Sequence, residues 1–144
     1  MSFDKAAALH AECFPNKKWS AADFSELKES GAEIVMSDNG FIVWRVAADE
    51  AEIITIGVLP AARRMGVASA LVRIMESELA KKKIERVFLE VAKDNAAAIG
   101  LYEKNGFRQV GLRPKYYDGK DGIIMAKELG KKPCVAGDRS PRQT

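Results

Sequence analysis

Between residues 66 and 82 apolar side chains recur at helical spacing, at Val67, Leu71, Ile74, Met75 and Leu79, which predicts a long amphipathic helix. Lys81, Lys82 and Lys83 close it, where positive charge suits the negative end of the helix dipole. The flanking runs have a different character. "AEIITIGV" (51–58) reads as a strand ending before Pro60, and "IERVFLEVA" (84–92) as a strand apolar on both faces except at Glu90. A strand, a crossover helix and a second strand predict a parallel βαβ unit.

Upstream, residues 3–13 read as a helix with Phe3, Ala7, Leu9 and Cys13 inward, and "FPNKKWS" breaks the pattern at Pro15. Ser20 is placed to cap a second helix, "AADFSELKES", which Gly31 stops. "AEIVMS" and "GFIVWRVA" read as strands joined at "DNG", and "ADE" makes the next turn. Downstream, Asp94 or Asn95 caps "AAAIGLYEKN", and Gly106 ends it. "FRQVGLR" and "DGIIMAKEL" then close as two strands around "YYDGKD". The expected fold is α/β: two helices, an antiparallel meander, one βαβ crossover, a helix and a final hairpin, in one mixed sheet. The tail, 130–144, lacks aromatic residues and apolar periodicity, and is expected to be a disordered basic segment after a single domain over 1–129.

Composition narrows the function classes. With 144 residues, 47% hydrophobic and 30% charged, the chain can bury a core without staples. A net charge of +3 and no basic aromatic stripe disfavour direct nucleic-acid binding. Cys13, Cys134 and the lone His10 make no metal-ligand pattern, so no metal site is expected. The cysteine usage fits a reducing cytoplasm, and no run is long enough for a membrane span.

"RRMGVASALV" (63–72) raises the first chemical question. The helix it opens has no Ser, Thr, Asp or Asn to accept its first N–H groups, so water or an anion must do so. Gly66, Ala68 and Ser69 are small, and Arg63 and Arg64 carry donors suited to phosphate. Neither GxGxxG nor GxxxxGK[ST] is present, and what remains is R-x-x-G-x-A at Arg63, Gly66 and Ala68. A diphosphate site and a solvent-capped helix both fit this pattern. Gly57, just upstream, marks either a bulge that opens the strand's backbone to a ligand or a packing contact.

Two side chains downstream could move protons. Glu90 stands in an apolar strand, where burial favours a general base; a solvent-facing glutamate or an ion pair with Arg or Lys is the alternative. Tyr102 lies on the last helix, where a core tyrosine is the commoner outcome. A phenol of pKa about 10 could still protonate a departing thiolate whose acid has pKa about 8.5. Asn95 reads as an N-cap, and Gly100 suggests a close helix contact.

Taken together, "VLPAARRMGVASALV", "LEVAKDNAAAIGLYEKNGF" and "YYDGKDGIIMA" resemble the GNAT N-acetyltransferases, most closely the type that acetylates the N-terminal alanine of a ribosomal protein. The resemblance runs from about Phe14 to Leu129. It implies the acyl-CoA N-acyltransferase fold, here with a shortened or missing first strand, and acetyl-CoA as cosubstrate. It implies that Ile56, Gly57 and Val58 bind the pantetheine and acetyl group through backbone atoms. Arg64, Met65, Gly66, Val67, Ala68 and Ser69 would cradle the pyrophosphate, and Asn95 would contact CoA. Glu90 matches the general base and Tyr102 the general acid, while Phe14, Pro15, Tyr116 and Tyr117 match the walls of an acceptor-peptide groove. "FPNKKWS" is longer than the family's usual loop, Ala68 stands where glycine is common, and Leu59 where an acidic residue often stands. The reading is direct acetyl transfer to a protein N-terminal α-amine. Lysine or small-amine acetylation, and a non-catalytic acyl-CoA-binding module, are the rivals.

Overall fold

The computed structural model describes residues 3–14, 19–117 and 119–129, the side chains of 115–117 excepted. Pro15 and the 130–144 tail therefore lie outside the described residues. The first helix, α1 (Asp4–Cys13), buries Phe3, Ala6, Leu9, His10 and Cys13. Its inward stripe is thus turned slightly from the expected one: Ala6 and His10 are buried and Ala7 lies at the margin. In α2 (Ala21–Glu29) the Ser20 hydroxyl accepts from the Asp23 N–H at 3.2 Å, and the Asp23 carboxylate accepts from the Ser20 N–H at 2.8 Å. This reciprocal pair satisfies donors that the helix start would leave unpaired.

Strands β1 (Ala32–Met36), β2 (Gly40–Ala47) and β3 (Glu50–Val58) form the antiparallel meander. Helix α3 (Val67–Lys81) follows, then β4 (Arg86–Ala92), α4 (Ala96–Lys104) and the hairpin of β5 (Arg108–Tyr117) and β6 (Lys120–Glu128). The sheet order is β1-β2-β3-β4-β6-β5. Among the described residues its one parallel pair is β3 with β4, across the crossover made by α3. No strand precedes α1 among the described residues, in keeping with the shortened start.

Apolar side chains fill both faces of the sheet. On one, Phe3, Leu9 and Cys13 of α1 and Phe24 of α2 pack with Phe41 and Val43. On the other, Leu71, Val72, Met75 and Leu79 of α3 pack with Trp44, Ile53, Val87, Leu89, Val91 and Tyr102. Ile74, expected inward, is 44% exposed, because α3 turns the side of Val72 and Met75 to the sheet. Gly100 does not mark a close contact either: a Cβ there would meet no atom within 4 Å. Replacing it with alanine removes backbone entropy from the unfolded chain at no steric cost. Gly100→Ala should therefore raise stability by about 0.5–1 kcal/mol in denaturant unfolding. A loss of stability would contradict this account of the position.

Candidate active site

Parallel pairing of β3 with β4 covers only Glu50–Arg86, Ala51–Val87 and Glu52–Phe88. Beyond these residues β3 stays paired to β2 as far as Val58, and β4 stays paired to β6 as far as Ala92. The two central strands therefore diverge, each held by its outer neighbour. A gap opens at their carboxyl ends, lined by backbone groups that the sheet does not use.

Strand alternation decides which groups face that gap. The Leu59 N–H bonds to the Asn39 carbonyl at 2.8 Å, which turns the backbone groups of Leu59 and Gly57 toward β2. Those of Ile56 and Val58 then face the opening. Arg63 Nε donates to the Val58 carbonyl at 3.1 Å, so Val58 offers chiefly its N–H. The bulge reading of Gly57 does not hold there: the register with β2 shifts between Val43 and Trp44, which puts the extra residue at Ile54. Gly57 is a packing glycine: a Cβ would come within 2.8 Å of the Phe41 ring and 3.0 Å of Cys13 Sγ. Of the three β3 residues, Ile56 and Val58 turn backbone groups toward the opening, and Gly57 packs against Phe41 and Cys13.

At the end of β3, Pro60–Ala62 forms a single helical turn, and the chain then bends into α3. Gly66 is the N-cap, with φ +81°, and no side chain caps the helix. Arg64 also has a positive φ, +68°, whereas Met65 between them does not. Such alternation of hand turns successive N–H groups into one concavity, which suits an anion. The first helical bond runs from the Ala70 N–H to the Gly66 carbonyl at 3.0 Å, so the amides of Val67, Ala68 and Ser69 precede the ladder. The Ser69 side chain is buried, and its Oγ accepts from Asn105 Nδ2 at 3.0 Å, tying α3 to the end of α4. Arg63 is braced on Val58, while exposed Arg64 and the amides of 66–69 are the groups that could hold an anion. The cradle and the gap adjoin along one connection. They suit a long ligand with a diphosphate at one end and an amide-bearing arm at the other.

Glu90 lies two residues past the last β3–β4 pair. Its neighbours Leu89 and Val91 belong to the core under α3 and α4, so Glu90 faces the opposite side, that of α1 and α2. Its side chain is 17% exposed, and Arg113 Nε on β5 lies 2.5 Å from Glu90 Oε2. The ion-pair alternative is therefore present in the fold, together with a site position. Tyr102 on α4 is buried against Phe107, with ring centroids 5.7 Å apart, on the face of Leu89 and Val91. Glu90 and Tyr102 thus stand on opposite faces of the sheet. Asn95 caps α4, its Oδ1 accepting from the Ala98 N–H at 3.1 Å, which leaves its amide nitrogen as the donor it can offer a ligand.

The acceptor-groove residues are only partly described. Phe14 is half-buried against the α1–α2 core, 4.9 Å from the His10 ring. Trp19 stacks on His10 at 4.5 Å and 15°, beside Phe14. Tyr116 and Tyr117 end β5, and their side chains lie outside the described residues.

Sequence reasoning missed two residues. His10, weighed only as a metal ligand, is 2% exposed among Phe14, Trp19, Phe24 and Phe41. The spacing Phe3, Ala6, His10, Cys13 was the signal that could have placed it. Burial pushes its imidazole below the usual 6.5, with the Asp23 charge opposing. The unfolded chain then binds the proton more tightly than the folded one, so stability is lost as pH falls through about 6.5. Melting temperature should drop over that interval, and His10→Phe should flatten the slope. An unchanged slope would remove His10 as its source. Arg113 had no sequence signal, because its partner lies two strands away.

Residues 4–107 match the family described as Acetyltransferase (GNAT). The [ribosomal protein bS18]-alanine N-acetyltransferase of Escherichia coli (strain K12) is 38% identical over 136 residues, covering 85% of this chain and 90% of that protein. A crystal structure of the Escherichia coli ribosomal-protein-S18-alanine N-acetyltransferase superimposes with a TM-score of 0.77 at 30% identity, over 92% of this chain and 91% of that one. Ard1 from Thermoplasma volcanium gives 0.73 at 29%, over 84% and 87%. A putative streptothricin acetyltransferase from Bacillus anthracis, in complex with acetyl coenzyme A, gives 0.60 at 26%, over 63% and 56%. The family match spans most of the chain, and the diverging strands above an uncapped, glycine-started helix sit within it: this protein belongs to the Acetyltransferase (GNAT) family.

Proposed function

We propose that this enzyme transfers acetyl from acetyl-CoA to the α-amine at a protein N-terminus, and that the acceptor is the N-terminal alanine of a ribosomal protein. The observation that carries the reading is the opening between β3 and β4, with Glu90 on β4 just past the last β3–β4 pair; Tyr102, on the sheet's other face, is the proposed acid. The cradle at 64–69 holds the diphosphate, and the backbone of Ile56 and Val58 pairs with the pantetheine arm. Glu90, directly or through water, takes a proton from the acceptor nitrogen as its bond to the acetyl carbon forms. Tyr102 gives its proton to the sulfur as the carbon–sulfur bond breaks, and the two transfers balance. Cys13, the described cysteine, is buried behind Gly57 and needed by neither step, which fits direct attack without a covalent enzyme intermediate.

The acceptor class follows from chemistry and likeness together. An α-amine has pKa about 7.8 against about 10.4 for lysine, so its deprotonation at neutral pH is easier by about 3.5 kcal/mol. A single carboxylate at the mouth of the gap suffices for that task. The relative that matches over most of both chains is named for action on the alanine of a ribosomal protein. Side-by-side turnover of an Ala-starting peptide and of the same peptide with its N-terminus blocked and a lysine present tests the reading. Acetylation of the first, read by mass, is expected. Faster turnover of the second would replace it with lysine acetylation, and no thiol release with either would favour a binding module.

A further inference from the structure

Resting on the reading of Glu90 as base, we propose that Arg113 is a positioning residue that sets the orientation of the Glu90 carboxylate toward the opening between β3 and β4. The two belong to strands that do not touch: β6 lies between β4 and β5. Glu90 pairs with Ile124 on β6, and Ile124 pairs with Gly111 on β5. Arg113, two residues beyond Gly111, shares that face and must reach back across β6 to bring Nε to Glu90 Oε2 at 2.5 Å. The β6 residue paired with Arg113 is Gly122, so no β6 side chain stands beside Arg113 on the way to β4.

The exposures of the partners assign the roles. Glu90 is 17% exposed and Arg113 is 53% exposed. The carboxylate is the enclosed member, sitting where β4 has parted from β3. The guanidinium approaches from the solvent side and anchors one oxygen. A glutamate has three side-chain torsions, so without an anchor its carboxylate samples orientations unsuited to proton transfer. A charge-assisted contact to a planar guanidinium removes that freedom. The exposed arginine also keeps a cationic acceptor from settling on the carboxylate as a static ion pair.

The test is a double-mutant cycle on turnover of an Ala-starting peptide with acetyl-CoA. Arg113→Ala should lower kcat about tenfold, as misorientation of a catalytic group does, with the KM for acetyl-CoA and the melting temperature little changed. In a Glu90→Gln background the same substitution should change nothing further, a result that a merely structural arginine would not give. An unaffected kcat in Arg113→Ala, beside a crippled Glu90→Gln, overturns this inference and leaves the base assignment standing. An equal loss in both backgrounds overturns it too, since Arg113 would then act independently of Glu90. Full turnover in Glu90→Gln alone removes the base, and this inference with it.

Discussion

Gly66→Glu is expected to abolish acetyl-CoA binding at concentrations that saturate the unaltered protein, with the fold retained. Gly66 starts α3 in the left-handed region at φ +81°, and a Cβ there would meet no atom within 4 Å. Nothing in the fold resists the bulk. The backbone strain of a residue with a side chain is about 1–2 kcal/mol. The charge acts on the ligand: a carboxylate about 5 Å from one phosphate, at an effective dielectric of about 20, costs about 3 kcal/mol. The repulsion by itself should weaken binding by more than about 100-fold, while the strain falls on fold stability. Gly66→Ala separates the two, since it adds the strain without the charge and should lose only a fraction of the affinity. Isothermal titration with acetyl-CoA reads both variants. Retained affinity in Gly66→Glu would remove the diphosphate from this helix start.

Tyr102→Phe should lower kcat about 100-fold while acetyl-CoA affinity holds. General-acid assistance contributes about 100- to 10,000-fold, and the phenylalanine keeps the ring that packs on Phe107. The substitution removes the proton donor and little of the buried surface. Thiol release under saturating substrates reads the effect, with a melting curve as control. Unchanged turnover would remove Tyr102 as the acid. A matching rise in KM for acetyl-CoA would instead make it a binding residue.

Much of the fold was legible because local chemistry and periodicity agreed. Ser20 before a helical run spells a helix start whatever surrounds it, and it caps α2 as expected, with Asp23 adding the reciprocal bond. The apolar runs at 51–58 and 84–92 around one amphipathic helix leave few ways to bury their faces, and the parallel crossover follows. Misreadings fell where neighbours decide. Ile74 sits at the margin of the α3 stripe, and the angle at which the helix meets the sheet left it outside. Gly57 carried two readings, bulge or packing. The Phe41 ring and Cys13 settled it as packing, while the bulge fell on Ile54, which no local signal marks.

The candidate site divides in the same way. By itself the sequence determined a helix without a side-chain cap, small residues at its start, a carboxylate in an apolar strand and a tyrosine on the next helix. Each is a property of one residue in its own segment. Only the tertiary structure decided that β3 and β4 part after Glu52 and Phe88, because parting depends on β2 and β6 holding the two strands from outside. It alone placed Glu90 and Tyr102 on opposite faces of the sheet, since side-chain alternation fixes a face only once the strand has neighbours. It alone brought Arg113 to Glu90, across a strand that comes later in the chain than either. Local rules act over a few residues, whereas the reaching of one side chain across a sheet depends on strand order, which no short stretch of sequence encodes.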